Sequence, residues 1–161
     1  MPQGANSDRP WCDGGSMMER AVVWTDGACS GNGGAHSPGG WAVVFADGRA
    51  FSGGETQTTN QRMELRAAIE ALARLPEGAQ VEVRSDSAYV INCFKQRWHA
   101  GWERNGWRNS RGESVANRDL WMQLLELARV RVVTWCKVRG HAGDPRNEQA
   151  DRLAVAAIPR A

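Results

Sequence analysis

The sequence predicts a single α/β domain built around one mixed β-sheet. The chain has 161 residues, which is a usual length for one domain. Hydrophobic residues make up 42% of it and charged residues 24%, so it contains enough apolar material for a packed core. Three predicted strands come first, and helices then alternate with strands. This order is typical of a sheet that mixes antiparallel and parallel neighbours.

The first predicted strands form the antiparallel part of the sheet. Residues 21–25 are almost all apolar, which favours a central strand with both faces buried. Residues 41–45 form a second strand, and residues 49–52 form a third after an Asp47-Gly48 turn.

The helices and the later strands follow from the spacing of apolar residues. A helix with apolar positions 65, 68, 69, 72 and 75 ends before Pro76, and Thr58 or Asn60 is expected to cap it. The remaining elements are a strand over 81–85, a helix over 88–99, a Trp- and Arg-rich segment to 111, a helix around 120–127, a strand over 130–138 and a helix from Pro145 to about 157.

Composition excludes several classes of protein. No apolar run approaches the ~20 residues of a membrane span, and residues 1–20 lack the apolar core of a secretory signal. The four cysteines have no zinc-site spacing and are too few for a disulfide framework, so Cys93 and Cys136 are expected to be buried thiols. A net charge of +2 does not by itself indicate a nucleic-acid-binding protein. We expect a monomeric, cytoplasmic protein.

The domain is expected to occupy residues 20–158. Residues 1–19 are polar and rich in turn-forming residues, with no periodicity, and are expected to be a flexible extension. Residues 159–161 form a short C-terminal tail.

Two acidic residues directly follow predicted strands. Asp26 ends the first strand and Asp86 ends the fourth. If these strands are parallel neighbours, both carboxylates lie at the carboxyl edge of the sheet, where open α/β sheets bind their ligands. Glu64 and Asp151 lie at the borders of the apolar faces of their helices. The four acids can therefore converge.

A convergent group of four carboxylates predicts bound metal ions. Like charges repel strongly at short distance unless a cation lies among them. Oxygen-only ligands select Mg²⁺ or Mn²⁺. Two such ions about 4 Å apart stabilise both the attacking and the leaving oxygen of a phosphoryl displacement, which is the chemistry that cleaves phosphodiesters.

Each acid also has a simpler explanation. Asp26 precedes Gly27 in a turn-forming pattern, and Asp86 can cap the helix that follows it. Glu64 suits the first turn of a helix, and Asp151 can pair with a neighbouring arginine. Spacing alone does not decide between these explanations and a shared site.

Seven segments carry the most specific pattern in the chain. They are TDGACSGN (25–32), PGGWAVV (38–44), TTNQRMEL (58–65), SDSAYV (85–90), a WxxxWxxxxW segment (98–107), NRDLW (117–121) and VRGHAGDPRNEQAD (138–151). In this order, and over nearly all of residues 21–157, the chain resembles type 1 ribonuclease H.

The resemblance implies a fold and an activity. The fold is the ribonuclease H-like one, a five-stranded mixed sheet in the order 3-2-1-4-5 with helices on both faces. The activity is endonucleolytic hydrolysis of the RNA strand of an RNA/DNA hybrid, which leaves 5′-phosphate and 3′-hydroxyl ends.

The resemblance also assigns the catalytic residues. Asp26, Glu64, Asp86 and Asp151 match the family's metal-binding acids, and two Mg²⁺ ions are expected, with Mn²⁺ as the alternative. His141 matches a loop histidine that assists proton transfer or product release. An imidazole titrates near neutral pH, which suits either role.

The RNA strand is expected to contact four residues of the family pattern. These are Cys29, Asn32, Asn60 and Gln61. Recognition of RNA depends on its 2′-hydroxyl groups, for which short polar side chains are suitable partners. Ala88 departs from the pattern, because several relatives carry glutamine there beside the RNA.

The DNA strand is expected to meet a phosphate pocket and a basic protrusion. The pocket matches Thr59 and Asn117, although Gln57 replaces an arginine that some relatives add. The protrusion contributes Trp98, Trp102, Arg104 and Trp107. Basic side chains attract phosphates and flat rings pack against sugars and bases. The first two tryptophans are four positions apart, so one of them is expected to pack in the core.

Two other functions stay open at this point. One is a module that binds RNA/DNA hybrids without cutting them, which the loss of an acid would favour. The other is a related nuclease of the same fold, such as a retroviral-type domain, a transposase or a resolvase. Those proteins lack the combination of the GHAGxxxNExAD segment and the basic protrusion.

Overall fold

The computed structural model of the chain describes residues 20–30, 37–138 and 144–160. Its strands are β1 Ala21–Cys29, β2 Ser37–Phe45, β3 Ala50–Thr58, β4 Gln80–Ser85 and β5 Val132–Lys137. Its helices are α1 Asn60–Ala73, α2 Ala88–Lys95, α3 Trp98–Arg104, α4 Arg118–Arg129 and α5 Pro145–Ala156. None of the helices in the described part of the chain is long and apolar enough to cross a bilayer. The predicted extension, residues 1–19, lies outside the described residues.

The strands form one mixed sheet in the order β3-β2-β1-β4-β5. β2 is antiparallel to both β1 and β3, whereas β4 is parallel to β1 and β5 is parallel to β4. The predicted fold class and strand order are thereby confirmed. The parallel pair of β1 and β4 positions the candidate site, because it brings their carboxyl ends to the same edge.

Helices cover both faces of the sheet, because successive residues of a strand point to opposite sides. On β1, Val23 belongs to the main core, which also holds most of the buried residues of α1 and the buried residues of α4. Trp24 belongs to a smaller cluster with Val44 of β2 and Ala150 of α5. The prediction of helices on both faces is confirmed.

The predicted continuous helix over residues 88–99 is wrong. The chain forms α2 and a separate short helix, α3, instead. Arg97 lies between them with a φ angle of 61°, in the left-handed region. A residue in that conformation cannot continue a right-handed helix, so α2 ends before it. As a result Trp98 and Trp102 lie on a helix of their own.

The limits of the first elements also differ from the prediction. Thr59 caps α1 by accepting a hydrogen bond from the backbone N–H of Arg62, so the expectation of Thr58 or Asn60 is wrong. β1 extends to Cys29 and β3 to Thr58, because both strands stay paired with β2 beyond their apolar stretches. Sequence patterns based on apolar residues underestimate such polar strand ends.

The expectation for the two buried cysteines holds for one of them. Cys93 is a free, fully buried cysteine, and burial raises the pKa of its thiol to about 12. Cys136 is also buried, but it is disulfide-bonded and is therefore not the expected thiol.

Candidate active site

Asp26 lies inside β1 and not at its end, which corrects the predicted position. Its backbone pairs with Ala42 of β2, whereas the parallel pairing with β4 ends at Trp24 and Arg84. The carboxylate therefore lies where β1 continues beyond its parallel neighbour, and it is only 7% exposed. Its Oδ1 accepts a hydrogen bond of 2.9 Å from the backbone N–H of Gly27.

Asp26 interacts with two other carboxyl groups. Burial raises its pKa to about 8, and the Asp86 carboxylate contributes to the rise. The Gly27 N–H opposes the shift, while Asp151 adds a side-chain hydrogen bond and a like charge. Without a cation, burial and the neighbouring acids therefore favour the protonated form of Asp26.

Glu64 reaches the site because α1 packs directly on the backbone of β1. A Cβ atom added to Gly27 would lie 2.5 Å from the backbone nitrogen of Glu64 and 2.5 Å from the carbonyl carbon of Met63. No side chain fits there, so the glycine lets the first turns of the helix lie against the strand. Glycine at the position after Asp26 therefore determines how closely Glu64 approaches it.

Ser87 connects Glu64 to the end of β4. Its hydroxyl donates a hydrogen bond of 2.6 Å to Glu64 Oε1 and accepts one from the backbone N–H of Val90 as the cap of α2. Burial raises the pKa of Glu64, the Ser87 hydrogen bond opposes that rise, and the nearby Asp86 carboxylate adds to it. Asp86, between β4 and this cap, is thus close to both Asp26 and Glu64.

Asp151 lies on α5, which packs against the sheet at two glycines and is joined to it by one hydrogen bond. Cβ atoms at Gly40 and Gly54 would lie 2.1 and 2.2 Å from carbonyl oxygens of α5 and its end, so the helix touches the strands directly. The indole Nε1 of Trp24 donates a hydrogen bond of 3.0 Å to Oδ2 of Asp144, the cap of α5. These contacts hold the helix against β1, β2 and β3, and Asp151 is exposed on it.

The four predicted acids are thus neighbours, but they do not form a closed metal site. In the described residues, no group of three or more His, Cys, Asp or Glu side chains has the arrangement of a metal centre. The donors are carboxylate oxygens only, a set that suits hard divalent cations. Burial, together with the Asp86 and Asp151 carboxylates, raises the pKa of Asp26, and a cation among these acids would favour their ionised forms. The donor chemistry therefore fits Mg²⁺ or Mn²⁺.

Two predicted site residues, Asn32 and His141, lie outside the described residues. The other residues expected along the RNA strand surround one end of the sheet. Cys29 ends β1, and Asn60 and Gln61 are exposed in the first turn of α1. The cysteine is half-buried, and burial raises the pKa of its thiol. A Cβ at Gly39 of β2 would meet both Cys29 of β1 and Thr58 of β3, so the two neighbouring strands leave no room for a side chain there.

The three predicted DNA-facing tryptophans form one ring cluster. Trp102 lies 6.5 Å from Trp98 and 5.8 Å from Trp107, measured between ring centroids. It also lies 5.4 Å from Trp121, which is completely buried on α4. All three are half-buried and pack against the main core, so the expected division into one core ring and one outer ring is not observed. Arg104, at the end of α3, is exposed.

The two residues of the predicted phosphate pocket begin neighbouring helices. Thr59 caps α1 and Asn117 precedes α4. Arg62 contacts both, because its backbone N–H bonds to the threonine Oγ and its guanidinium approaches the asparagine Oδ1 at 3.4 Å.

Comparison with known proteins identifies the family. The RNase H family model matches residues 18–159. The chain belongs to the RNase H family. A protein named Ribonuclease H from Symbiobacterium thermophilum is 51% identical over 144 residues, which cover 88% of this chain and 96% of that protein. Another Ribonuclease H, from Moorella thermoacetica, is 50% identical over 144 residues, with 88% and 93% covered.

Solved structures agree with the RNase H assignment. A crystal structure of LC9-RNase H1, described as a type 1 RNase H with the type 2 active-site motif, superimposes with a TM-score of 0.76 at 33% identity. The match covers 86% of this chain and 72% of that one. A foamy viral protease-reverse transcriptase in complex with dsDNA has a TM-score of 0.72 at 20% identity, which shows a shared fold. The expected fold and enzyme class, a ribonuclease of the RNase H family, are confirmed.

Some residues that shape this RNase H site have no clear signal in the sequence. Ser87 and Trp24 act through contacts with residues distant in the chain, so local patterns do not indicate them. Gly27 is another such residue, since the atoms next to it belong to α1. Its position directly after an acidic residue within a strand is the one local feature that could have suggested its role.

Proposed function

We propose that this RNase H family member cuts the RNA strand of RNA/DNA hybrids with two Mg²⁺ ions held by Asp26, Glu64, Asp86 and Asp151. The products would carry 5′-phosphate and 3′-hydroxyl ends. The strongest support for the metal sites is the environment of Asp26. Asp26 is buried next to two further carboxylates with its pKa raised to about 8, an arrangement that favours binding of divalent cations.

The protein supplies the ligands and holds them in place. Bound divalent cations would stabilise the negative charge that develops on the attacking and leaving oxygens of the phosphodiester. Asp26 is fixed by the Gly27 N–H, and Glu64 is oriented by the hydroxyl of Ser87. Metal binding requires Asp26 to release its proton, so metal affinity rises with pH below about 8.

His141 is proposed to move a proton or to assist product release. This assignment rests on the GHAG segment of the sequence. Imidazole groups in general exchange protons near neutral pH, which suits either role, and this histidine need not bind a metal ion.

The two strands of the hybrid would lie on different parts of the surface. Asn60 and Gln61 are exposed beside the acids and can approach RNA 2′-hydroxyls, with Cys29 and Asn32 assigned to the same strand. The DNA strand would run over the first turns of α1 and α4 towards the tryptophan cluster. Its contacts there would be Thr59, Asn117, Trp98, Trp102, Arg104 and Trp107.

The test compares cleavage of one labelled sequence prepared as RNA/DNA, RNA/RNA and DNA/DNA duplexes. With Mg²⁺, we expect cutting of the RNA in the hybrid alone, and EDTA should abolish it. Analysis of the product ends should identify a 5′-phosphate and a 3′-hydroxyl. Mn²⁺ in place of Mg²⁺ tests which ion the acids prefer.

Two outcomes would contradict the proposal. Binding of the hybrid without cleavage at any divalent metal concentration would favour a hybrid-binding module. Full activity in EDTA would exclude the metal mechanism. A monomeric state, a cytoplasmic location and the domain limits 1–19, 20–158 and 159–161 stay predictions from the sequence.

A further inference from the structure

Asn117 occupies the cap position of α4 without capping it. Its φ and ψ angles are 61° and 29°, in the left-handed region, and its side chain makes no hydrogen bond to the helix. Asparagine is among the best capping residues because its side-chain oxygen normally accepts a bond from the first turn. Here the amide bonds to side chains of other helices instead.

Two side chains from other elements hold this amide. Its Nδ2 donates a hydrogen bond of 3.0 Å to the hydroxyl of Tyr89 on α2. Its Oδ1 faces Nη1 of Arg62 on α1 at 3.4 Å. A guanidinium can only donate hydrogen bonds, so the oxygen must face Arg62 and the nitrogen must face Tyr89. The amide therefore has one defined orientation.

Both supporting side chains are themselves fixed. Arg62 donates two parallel hydrogen bonds, of 2.9 and 2.8 Å, to the carboxylate of Asp119. The Tyr89 hydroxyl accepts a second bond, of 2.9 Å, from Nε1 of the fully buried Trp121. Paired, planar hydrogen bonds of this kind restrict the arginine to one rotamer.

The orientation leaves one free donor on each of the two pocket residues. An amide nitrogen has two N–H groups, and Tyr89 takes one of them from Asn117. The hydroxyl of Thr59 accepts a bond from the backbone N–H of Arg62, so its own proton is available to an acceptor. Thr59 and Asn117, at the starts of the neighbouring helices α1 and α4, thus each provide one neutral donor. Arg62 contacts both residues.

We infer that Tyr89 and Arg62 are positioning residues that orient Asn117 to bind a phosphate of the DNA strand. The inference rests on the proposed function, since it concerns the duplex that this function requires. Neither residue touches the phosphate. Tyr89 acts through its hydroxyl, and Arg62 acts through its guanidinium, whose charge Asp119 already balances.

The test is a double-mutant type of binding cycle. It compares the affinity of the wild type and of each variant for hybrids with and without one uncharged linkage in the DNA strand. Hybrids with one methylphosphonate at successive DNA positions are titrated in EDTA, so that cleavage does not interfere. We expect one linkage to weaken wild-type binding about 3- to 10-fold, the range for the net contribution of one ordinary hydrogen bond. Tyr89→Phe and Arg62→Lys should bind the unmodified hybrid more weakly than the wild type does. In these variants, the methylphosphonate at that position should cause no further loss of affinity.

Arg74→Lys is the matched control. It makes the same exchange at the C-terminal end of α1, where the arginine pairs with Glu70 and not with Asn117. It should keep the full sensitivity to the neutral linkage. In cleavage assays Tyr89→Phe should raise KM and leave kcat unchanged.

The inference is overturned if Tyr89→Phe and Arg62→Lys keep the wild-type sensitivity, or if no DNA linkage is distinguished in the wild type. Either result leaves the proposed function intact as long as the hybrid is still cut. Conversely, a protein that cuts no hybrid contradicts the proposed function, and the binding cycle is still measurable.

Discussion

The acids and the tryptophan cluster are positioned by different means. Close backbone contacts at Gly27, Gly40 and Gly54 bring the helices that carry Glu64 and Asp151 onto the sheet. The tryptophans of α3 and the loop after it are placed by ring contacts with one another and with a buried ring on α4. Backbone contacts tolerate almost no change in distance, whereas ring contacts allow adjustment.

This difference suits the two tasks. Ligands of a metal pair have to be held to within about 0.5 Å, whereas a surface that follows a flexible nucleic-acid backbone does not. Substitutions in the first region should therefore abolish activity, and substitutions in the second should only alter affinity.

The largest effect is expected for Asp26→Asn. Removal of one ligand charge should lower kcat by at least ~10³-fold, a loss comparable to removing a group that acts in the transition state. The same change should raise the melting temperature in EDTA, because it removes a buried carboxyl whose ionised form is disfavoured. Near-normal turnover of this variant would exclude Asp26 as a ligand.

Gly27→Ala should combine a large loss of activity with a loss of stability. The new methyl group would overlap backbone atoms of α1, so the helix has to move and carry Glu64 with it. We expect about 1–3 kcal/mol of destabilisation in urea unfolding and a drop in kcat of about 10²-fold, typical of a misplacement near 1 Å. Gly48→Ala is the control. It lies in a turn with a φ of 103° and open space around it, so it should lose some stability but keep kcat.

An intermediate effect is expected on the pH dependence of stability without metal. The pKa of Asp26 is raised from 3.8 to about 8 in the folded protein, so between these pH values the folded state binds more protons than the unfolded state. Stability contributed by this group is therefore lost as pH rises through that window. Thermal unfolding in EDTA from pH 5 to pH 8 should show this decline, and Asp26→Asn should reduce it. Equal slopes for the two proteins would contradict the shift.

The smallest effect is expected for Arg104→Gln in the basic protrusion. One phosphate contact fewer should weaken hybrid binding a few-fold and reduce the slope of log K against log salt by up to about 0.9. Arg129→Gln, an equal change of charge at an exposed site on α4, serves as control and should leave the slope unchanged. An unaltered slope for Arg104→Gln would show that the DNA strand does not reach α3.

The fold and the candidate acids could be predicted from local patterns, whereas the contacts between them could not. Asp26 and Asp86 stand next to apolar strands, and the motifs around Glu64 and Asp151 are specific to the family. The break between α2 and α3 was missed because an arginine with positive φ has no local signal.

The orientation of the pocket residues was not predictable either. Asn117 depends on partners 28 and 55 positions away, Tyr89 and Arg62, whose hydrogen bonds form only after α1, α2 and α4 have packed together. Asparagine before a helix suggests a cap, and only the tertiary structure reveals that its amide points elsewhere.

The hydrogen bond between Trp24 and Asp144 joins positions 120 residues apart in the chain. Contacts of such long sequence separation form late, because a long loop must close before they are gained. During synthesis β1 leaves the ribosome well before α5, so the carboxylates remain incomplete until nearly the whole domain has been made. Nuclease activity is therefore a property of the finished fold, and chains that are still being synthesised on the ribosome do not yet have it.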